Sequence, residues 1–246
     1  MLWNMSRLPI LCYHNVAEAP KEAPFKLLYV SPERFERQLW TLRRLGLRGV
    51  CTSEGFARLH NATSRGCVVL TFDDGYADTL TTAAPLMKQY GFTATCYVVS
   101  GALGTYNRWD ADYLRERKPL MSREQLDQWL AAGMEVGSHS LSHPRLHELP
   151  QEVAQHEIAE SRGALRKLLG VSIEHFAYPF GAFTADIIAC VRRAGYSTAV
   201  TVLPGIAQAS DDRLRLPRML VNGERGLWNF LLQVASPYER LRRRAH

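Results

Sequence analysis

The 246-residue sequence lacks any apolar run close to the roughly 18 to 20 residues that a membrane-spanning helix needs. Its first ten residues include polar residues and a proline, and no small-residue cleavage site follows them, which disfavours a secretion signal. The five cysteines are odd in number and none forms a C-x-x-C pair, so we expect all five to be reduced. These absences predict a cytoplasmic chain that folds without disulfides.

Internal repeats, low-complexity linkers and nucleic-acid-binding motifs are also missing, so we expect no nucleic-acid partner. The formal net charge is +6, and the positive charge is densest in a basic tail from about residue 236. The tail contains Arg240, Arg242, Arg243 and Arg244. A run of this kind is most often a solvated terminus, but it leaves peripheral contact with an anionic membrane open.

Predicted strands and helices alternate along the chain, which favours a parallel α/β fold. Apolar runs predict strands at residues 9–16, 67–72, 93–99, 134–140, 176–180 and 197–202, with shorter ones near residue 50 and at 218–221. Helical spacing predicts helices at residues 31–46, 78–90, 122–133, 151–169, 184–194 and 227–234. The sheet is either closed into a barrel or open and doubly wound. In both cases ligands gather at the carboxyl ends of the strands.

Two adjacent carboxylates, Asp73 and Asp74, follow the strand predicted at 67–72, and Gly75 allows a sharp turn behind them. Burying two unpaired carboxylates is costly, so they need a cation, a donor network or solvent. Side chains alternate in an extended strand, so one carboxylate could bind a metal while the other faces a substrate. A turn whose aspartates cap the next helix is the alternative interpretation.

Two histidines, His139 and His143, follow another predicted strand and are four residues apart. In a helical turn they would share one face, with Cβ atoms about 5–6 Å apart. Two histidines and one carboxylate form an established catalytic metal set. Alone the histidines would be surface residues of a polar loop; with the aspartates at a neighbouring strand end they predict a metal site. For His14, at the end of the first strand, a hydrogen-bonded core histidine is the alternative to a catalyst.

The sequence Thr71-Phe-Asp-Asp-Gly-Tyr76, followed by His139-Ser-Leu-Ser-His143, resembles the polysaccharide deacetylases that share the NodB homology domain (carbohydrate esterase family 4). The resemblance extends from Tyr13-His14, through Val30-Ser-Pro-Glu-Arg-Phe35, to Leu216-Pro-Arg218. It implies an α/β fold of the distorted (β/α)7 TIM-like barrel type, with a single domain over residues 1–246. It also implies a divalent metal ion, in most members Zn²⁺, with Co²⁺, Ni²⁺ and Mn²⁺ as alternatives.

By motif position, the resemblance implies that Asp74, His139 and His143 bind this metal. The resemblance also implies that Asp73 is the general base. The expected reaction is metal-dependent removal of N-acetyl groups from an amino-sugar-containing carbohydrate: a polysaccharide, an oligosaccharide or a lipid-linked sugar.

The third family motif aligns with Ala177-Tyr-Pro-Phe180, which implies that the backbone N–H of Phe180 stabilises the oxyanion. Two departures stand out. Ala177 replaces the arginine that orients the base in the family, and the late L-x-x-H motif that supplies a general acid is missing. The chain resembles the poly-N-acetylglucosamine deacetylase branch, in which a Tyr-His near the N-terminus supplies the acid, so His14 is the candidate. Hydrolysis of another acyl group or of a non-sugar amide, and a degenerate carbohydrate-binding relic, remain as alternatives.

Overall fold

The computed structural model describes residues 7–111 and 115–235. The strands in this part of the chain are β1 Arg7–Leu8, β2 Ile10–Tyr13, β3 Arg48–Val50, β4 Cys67–Phe72, β5 Thr95–Val98, β6 Glu135–Ser138, β7 His175–Ala177, β8 Thr198–Val200, β9 Ala207–Gln208 and β10 Met219–Leu220. The α-helices are α1 Pro32–Arg44, α2 Thr52–His60, α3 Ala84–Gln89, α4 Arg123–Ala131, α5 Gln151–Leu169, α6 Ala185–Arg193 and α7 Leu227–Ala235. The basic tail predicted from about residue 236 lies outside the described residues, and the single domain over 1–246 stays a prediction.

The main sheet is parallel throughout, with the strand order β10-β2-β4-β5-β6-β7-β8 and with β3 beside the first half of β4. Its two edges are joined by the segment 216–220. Leu216 pairs with Val200 of β8, and Met219 and Leu220 pair with β2. The sheet therefore curls into a distorted barrel with helices outside it, as the resemblance implies.

Strand β4 shows how the sequence fills this barrel. Val68, Leu70 and Phe72 face outwards into the core cluster that the helices cover. Val69 points to the opposite side, into the barrel interior. Alternation then places Thr71 and Asp73 on the interior side as well. The same strand therefore delivers a buried carboxylate to the carboxyl end of the barrel.

Most predicted helices are confirmed. The predicted capping box of α4 is present, because Ser122 and Gln125 each accept a hydrogen bond from the other's backbone N–H. The helix predicted at 78–90 begins instead with a π-helical turn, Thr79–Ala83. Helix α2 is not predicted, because Gly55 weakens its helical signal. That glycine allows close packing, since a Cβ there would lie 2.3 Å from Val69 Cγ2.

The amino end of the barrel is closed by a polar cluster. Glu135 begins β6 and His175 begins β7, with His175 Nε2 lying 3.5 Å from Glu135 Oε1. Thr95 donates to Glu135 Oε2 at 2.5 Å, and His175 Nε2 lies 2.8 Å from the Ser53 hydroxyl. Burial favours the neutral acid, but these partners outweigh it and lower the pKa of Glu135 to about 2.

The five cysteines are all free thiols, as predicted. Within the described ranges, none of the helices combines the length and apolarity that crossing a bilayer requires.

Candidate metal centre and catalytic cavity

A cavity of about 270 Å³ opens at the carboxyl ends of the barrel strands. All six residues that the sequence singles out for chemistry line it: His14, Asp73, Asp74, His139, His143 and Phe180. Strand-end loops far apart in sequence therefore meet in one place, as the parallel topology requires.

Asp74, His139 and His143 form a buried cluster on one wall of this cavity. Asp74 Oδ1 lies 3.4 Å from Nε2 of each histidine. One potential ligand atom from each of the three side chains lies within 4.8 Å of the others. One carboxylate and two imidazoles fit Zn²⁺ and other divalent ions, and the cavity beside them leaves room for a substrate. The donor set therefore fits a metal ion, while the role of each ligand stays a prediction.

The backbone fixes the orientation of His139. Its Nδ1 lies 2.8 Å from the carbonyl oxygen of Ala177, so this nitrogen carries the proton and Nε2 faces Asp74. Ala177, which lacks the family's arginine side chain, thus supplies a carbonyl that orients a predicted ligand. Burial opposes a charge on His139, but its contact with Asp74 outweighs burial and raises the pKa of the imidazole.

The ring of His143 is held between two aromatic rings. Trp109 stacks on it at 4.6 Å between ring centroids, and Phe180 contacts it edge-on, also at 4.6 Å. Its backbone N–H donates to the Ser140 hydroxyl at 2.9 Å. Burial lowers the pKa of His143, which favours the neutral imidazole that a metal ion requires.

Glu157, which belongs to none of the sequence motifs, fixes the loop that carries both histidines. From α5 its carboxylate accepts the backbone N–H groups of Leu141 at 3.1 Å and Ser142 at 2.9 Å. It also accepts the Ser142 hydroxyl at 2.6 Å. The available sequence signal was an acidic residue on the apolar face of an amphipathic helix.

Left-handed backbone conformations are concentrated in these loops. Of the six non-glycine residues with positive φ in the described ranges, four are in the loops of this site: Asp74 (71°), Ser140 (67°), His143 (62°) and Phe180 (58°). Such conformations cost on the order of 1–3 kcal/mol each and persist where surrounding structure enforces them. At Phe180 the turn ends the strand predicted at 176–180, so that prediction is wrong beyond Ala177.

Asp73 faces the barrel interior and accepts two hydrogen bonds from Arg218. The guanidinium donates to Oδ1 at 2.7 Å and to Oδ2 at 2.6 Å, and its Nε donates to the Thr201 carbonyl at 2.8 Å. Arg218 is fully buried and Asp73 is 3 % exposed. Burial alone would raise the pKa of Asp73, but the charge and hydrogen bonds of Arg218 lower it.

The guanidinium of Arg218 therefore contacts the carboxylate that the third-motif arginine would orient in the family. It comes from the segment that closes the barrel rather than from β7. The family resemblance reaches Leu216-Pro-Arg218 but implies no role for it. The available signal was a single arginine at the start of an otherwise apolar last strand, where its charge needs a buried partner.

His14 lies beside this pair. A ring nitrogen of His14, the Cys12 sulfur and an Asp73 oxygen lie within 4.8 Å of one another. We assign no second metal site to these three, because the Cys12 thiol donates to Asp73 Oδ2 at 3.4 Å and burial raises its pKa, so it is not the thiolate that a metal ion requires. His14 Nδ1 is buried with no hydrogen-bond partner among the described residues. The position suits a proton donor to a substrate in the cavity, and that role stays a prediction.

Asp110 is a further carboxylate of the cavity and belongs to none of the sequence motifs. Asn107 donates to it at 2.6 Å. Burial, reinforced by the nearby charge of Asp74, raises the pKa of Asp110 to about 7.

A parallel barrel with a carboxylate–diimidazole cluster next to an arginine-bound carboxylate defines a hydrolase of the metal-assisted class. The comparisons with known proteins agree with that class. The sequence profile of the family described as "Polysaccharide deacetylase" matches residues 60–199. The chain belongs to the polysaccharide deacetylase family.

Relatives extend the match over most of the chain. YxkH of Bacillus subtilis, which carries a polysaccharide deacetylase name, is 26 % identical over 219 residues, or 88 % of this chain and 72 % of that protein. The poly-β-1,6-N-acetyl-D-glucosamine N-deacetylase of Staphylococcus epidermidis is 25 % identical over 166 residues, or 64 % of this chain but only 55 % of that protein. The structure of Streptococcus pyogenes deacetylase PplD in complex with acetate superposes with a TM-score of 0.79 at 27 % identity, covering 94 % of this chain and 99 % of that one.

Proposed function

We propose that the protein is a metal-dependent N-deacetylase that removes acetyl groups from an amino-sugar-containing carbohydrate. The observation that carries this proposal is the shared cavity. It brings the Asp74–His139–His143 cluster together with an ionised, arginine-bound Asp73. Hydrolysis of an amide needs both an activated water and stabilisation of the developing oxyanion, and the two halves of this site match those needs.

Asp74, His139 and His143 would hold the metal ion, and we expect Zn²⁺. When bound, such an ion supplies Lewis acidity, which polarises an amide oxygen and lowers the pKa of water. Glu157 and the Ala177 carbonyl hold the two histidines in position for this role.

Asp73 acts as the general base in this proposal. Arg218 keeps its carboxylate ionised and fixes its orientation, so that it can accept a proton from the attacking water. The backbone N–H of Phe180 would donate to the oxyanion, since this residue lines the same cavity. His14, when protonated, would give its proton to the departing amine, which is a poor leaving group without one.

The proposed substrate is an N-acetylated sugar unit. One curated relative is named for deacetylation of poly-N-acetylglucosamine, and a similar structure is in complex with acetate, the expected second product. The exposed ring of Phe180 and the neighbouring Trp109 offer apolar faces on which a sugar ring can pack. A small or lipid-linked sugar fits the predicted cytoplasmic location, which stays a prediction, as does membrane contact through the basic tail.

Arg218 also argues against a degenerate binding protein. The loss of the third-motif arginine is the main reason to doubt turnover, and Arg218 supplies a guanidinium to the same carboxylate. Hydrolysis of a different acyl group would use the same residues, so the choice of substrate needs a direct test.

Acetate release from N-acetylglucosamine oligomers and N-acetylated glycolipids, measured with Zn²⁺-loaded protein, tests the proposal. We expect turnover by the wild type and a loss of at least about 100-fold in Asp73→Asn, the size of a general-base contribution. Asp73→Asn should still bind the oligomer. Zn²⁺-loaded wild type that releases no acetate from any of these substrates would contradict the proposal.

A further inference from the structure

Arg145, two residues after His143, contacts Phe180, which lines the catalytic cavity. Its guanidinium carbon lies 4.4 Å from the centre of the Phe180 ring. Phe180 is 42 % exposed and in turn contacts the His143 ring. This spacing is that of a cation–π contact, which limits the motion of the guanidinium on an otherwise exposed loop.

The charge of Arg145 has no carboxylate partner among the described residues. The nearest acidic residue in sequence, Glu148, instead lies 3.6 Å from His147. Elsewhere on the surface, exposed arginines such as Arg37 and Arg123 pair with carboxylates one helical turn away. Arg145 therefore presents an unpaired cation one aromatic ring away from His143, a predicted metal ligand.

A second cavity continues the first along the same face. It has a volume of about 220 Å³ and shares Val202 and Leu220 with the catalytic cavity. Two arginines line it, but the charge of Arg218 is neutralised by Asp73. Arg225 is the remaining cation of this cavity and has no carboxylate partner in the part of the chain that the structure describes. Arg145, through Phe180, and Arg225, through the adjoining cavity, therefore both lie near the catalytic cavity.

We propose that the substrate carries an anionic group, a phosphate or a carboxylate, next to the acetylated sugar, and that Arg145 selects for it. This inference rests on the proposed function, because it names the substrate class of the same cavity. A guanidinium fixed in one orientation pairs well with either anion. Arg225 would bind a second negative charge further along the substrate.

The test compares three soluble probes with Zn²⁺-loaded full-length protein: a neutral N-acetylglucosamine trisaccharide, N-acetylglucosamine 1-phosphate and N-acetylmuramic acid. The two charged probes distinguish phosphate from carboxylate. The variants are Arg145→Gln and Arg145→Lys. Arg44→Gln is the matched control, because Arg44 also stacks on an aromatic ring, that of Trp40, at 5.7 Å, and Trp40, unlike Phe180, does not line the cavity.

We expect the wild type to have a higher kcat/KM for at least one charged probe than for the neutral one, with a preference that falls as salt rises. Arg145→Gln should raise KM for that probe about 10-fold or more, the size of a charged hydrogen bond, with a much smaller effect on the trisaccharide. Arg145→Lys should restore part of the loss, and Arg44→Gln should match the wild type.

Equal efficiency on neutral and charged probes in the wild type would overturn the inference. So would a fall in kcat on all probes alike in Arg145→Gln, because Arg145 would then act on the transition state rather than on specificity. Calorimetric binding of the same probes to Asp73→Asn, with and without Arg145→Gln, separates the two proposals. Charge-dependent binding through Arg145 without turnover in the wild type would remove the deacetylase proposal and keep the anionic ligand.

Discussion

Replacing Arg218 with methionine is the most informative single change in this protein. The substitution keeps an apolar stem of similar length but removes both hydrogen bonds to Asp73 and the one to the Thr201 carbonyl. Breaking a buried ion pair by removing one partner costs about 3–5 kcal/mol, because the other charge is left without compensation. Asp73 is 3 % exposed and has little access to water. We therefore expect the free energy of unfolding to fall by about 3–5 kcal/mol at neutral pH.

Activity should fall as well, for a separate reason. Arg218 holds the pKa of Asp73 below its usual value against the effect of burial. Without the guanidinium, burial raises this pKa, and a larger fraction of Asp73, the proposed base, is protonated at a given pH. We expect kcat to drop by about 10²- to 10⁴-fold and the acidic limb of the kcat/KM profile to move to higher pH.

Urea unfolding at pH 7 and a pH–rate profile measure the two effects. The double variant Asp73→Asn/Arg218→Met is the control, because it removes the buried charge that the single substitution leaves behind. It should be more stable than Arg218→Met alone but equally inactive. Wild-type stability and an unchanged pH profile in Arg218→Met would refute the role assigned to this pair.

Three further predictions concern other parts of the molecule. Zn²⁺ at 100 times its dissociation constant should stabilise the wild type by about 2.7 kcal/mol in thermal unfolding, and His143→Ala should abolish that gain; an equal gain in both proteins would exclude His143 as a ligand. Glu157→Ala should weaken Zn²⁺ binding about 10- to 100-fold in calorimetry, because the loop N–H groups lose their acceptor, whereas Glu157→Gln should retain more affinity. Glu135→Gln should lower the free energy of unfolding by up to about 3 kcal/mol at pH 7, because the pKa of Glu135 is lowered from 4.5 to about 2 and this shift favours the folded state above pH 4.5. The loss of stability should shrink as the pH falls towards 2. A loss that does not depend on pH would contradict this origin.

The elements of this fold were predictable wherever the local pattern and the tertiary environment agree. The apolar run 67–72 is β4 to the residue, and helix α5 has the predicted bounds 151–169. Helix α2 was missed because Gly55 meets a tertiary need, close packing on Val69, against its local propensity. The turn at Phe180 was missed because its left-handed backbone is imposed by the surrounding structure, and no side-chain pattern encodes it.

The paired aspartates and histidines could be named as a metal site from sequence because they follow apolar runs that predict strand ends. The roles of His14 and Phe180 come from the family resemblance. The partners of these site residues could not be named. Glu157 acts from helix α5 and Arg218 from the segment that closes the barrel, so only the packing of the barrel brings them to the site. Residues such as these are separated from the groups they position by up to 145 positions, as for Arg218 and Asp73, and no spacing rule connects them.

The position of Arg218 shows why a missing motif residue is weak evidence for a lost function in a barrel. Interior positions of different strands converge on the same axis, so a long side chain from any of several strands can reach one carboxylate. Here β7 contributes the backbone carbonyl of Ala177 to His139, while the closing segment contributes the guanidinium to Asp73. The proposed chemistry requires a cation on Asp73, and the closed parallel sheet allows that cation to come from the barrel-closing segment rather than from the strand on which the linear motif places it.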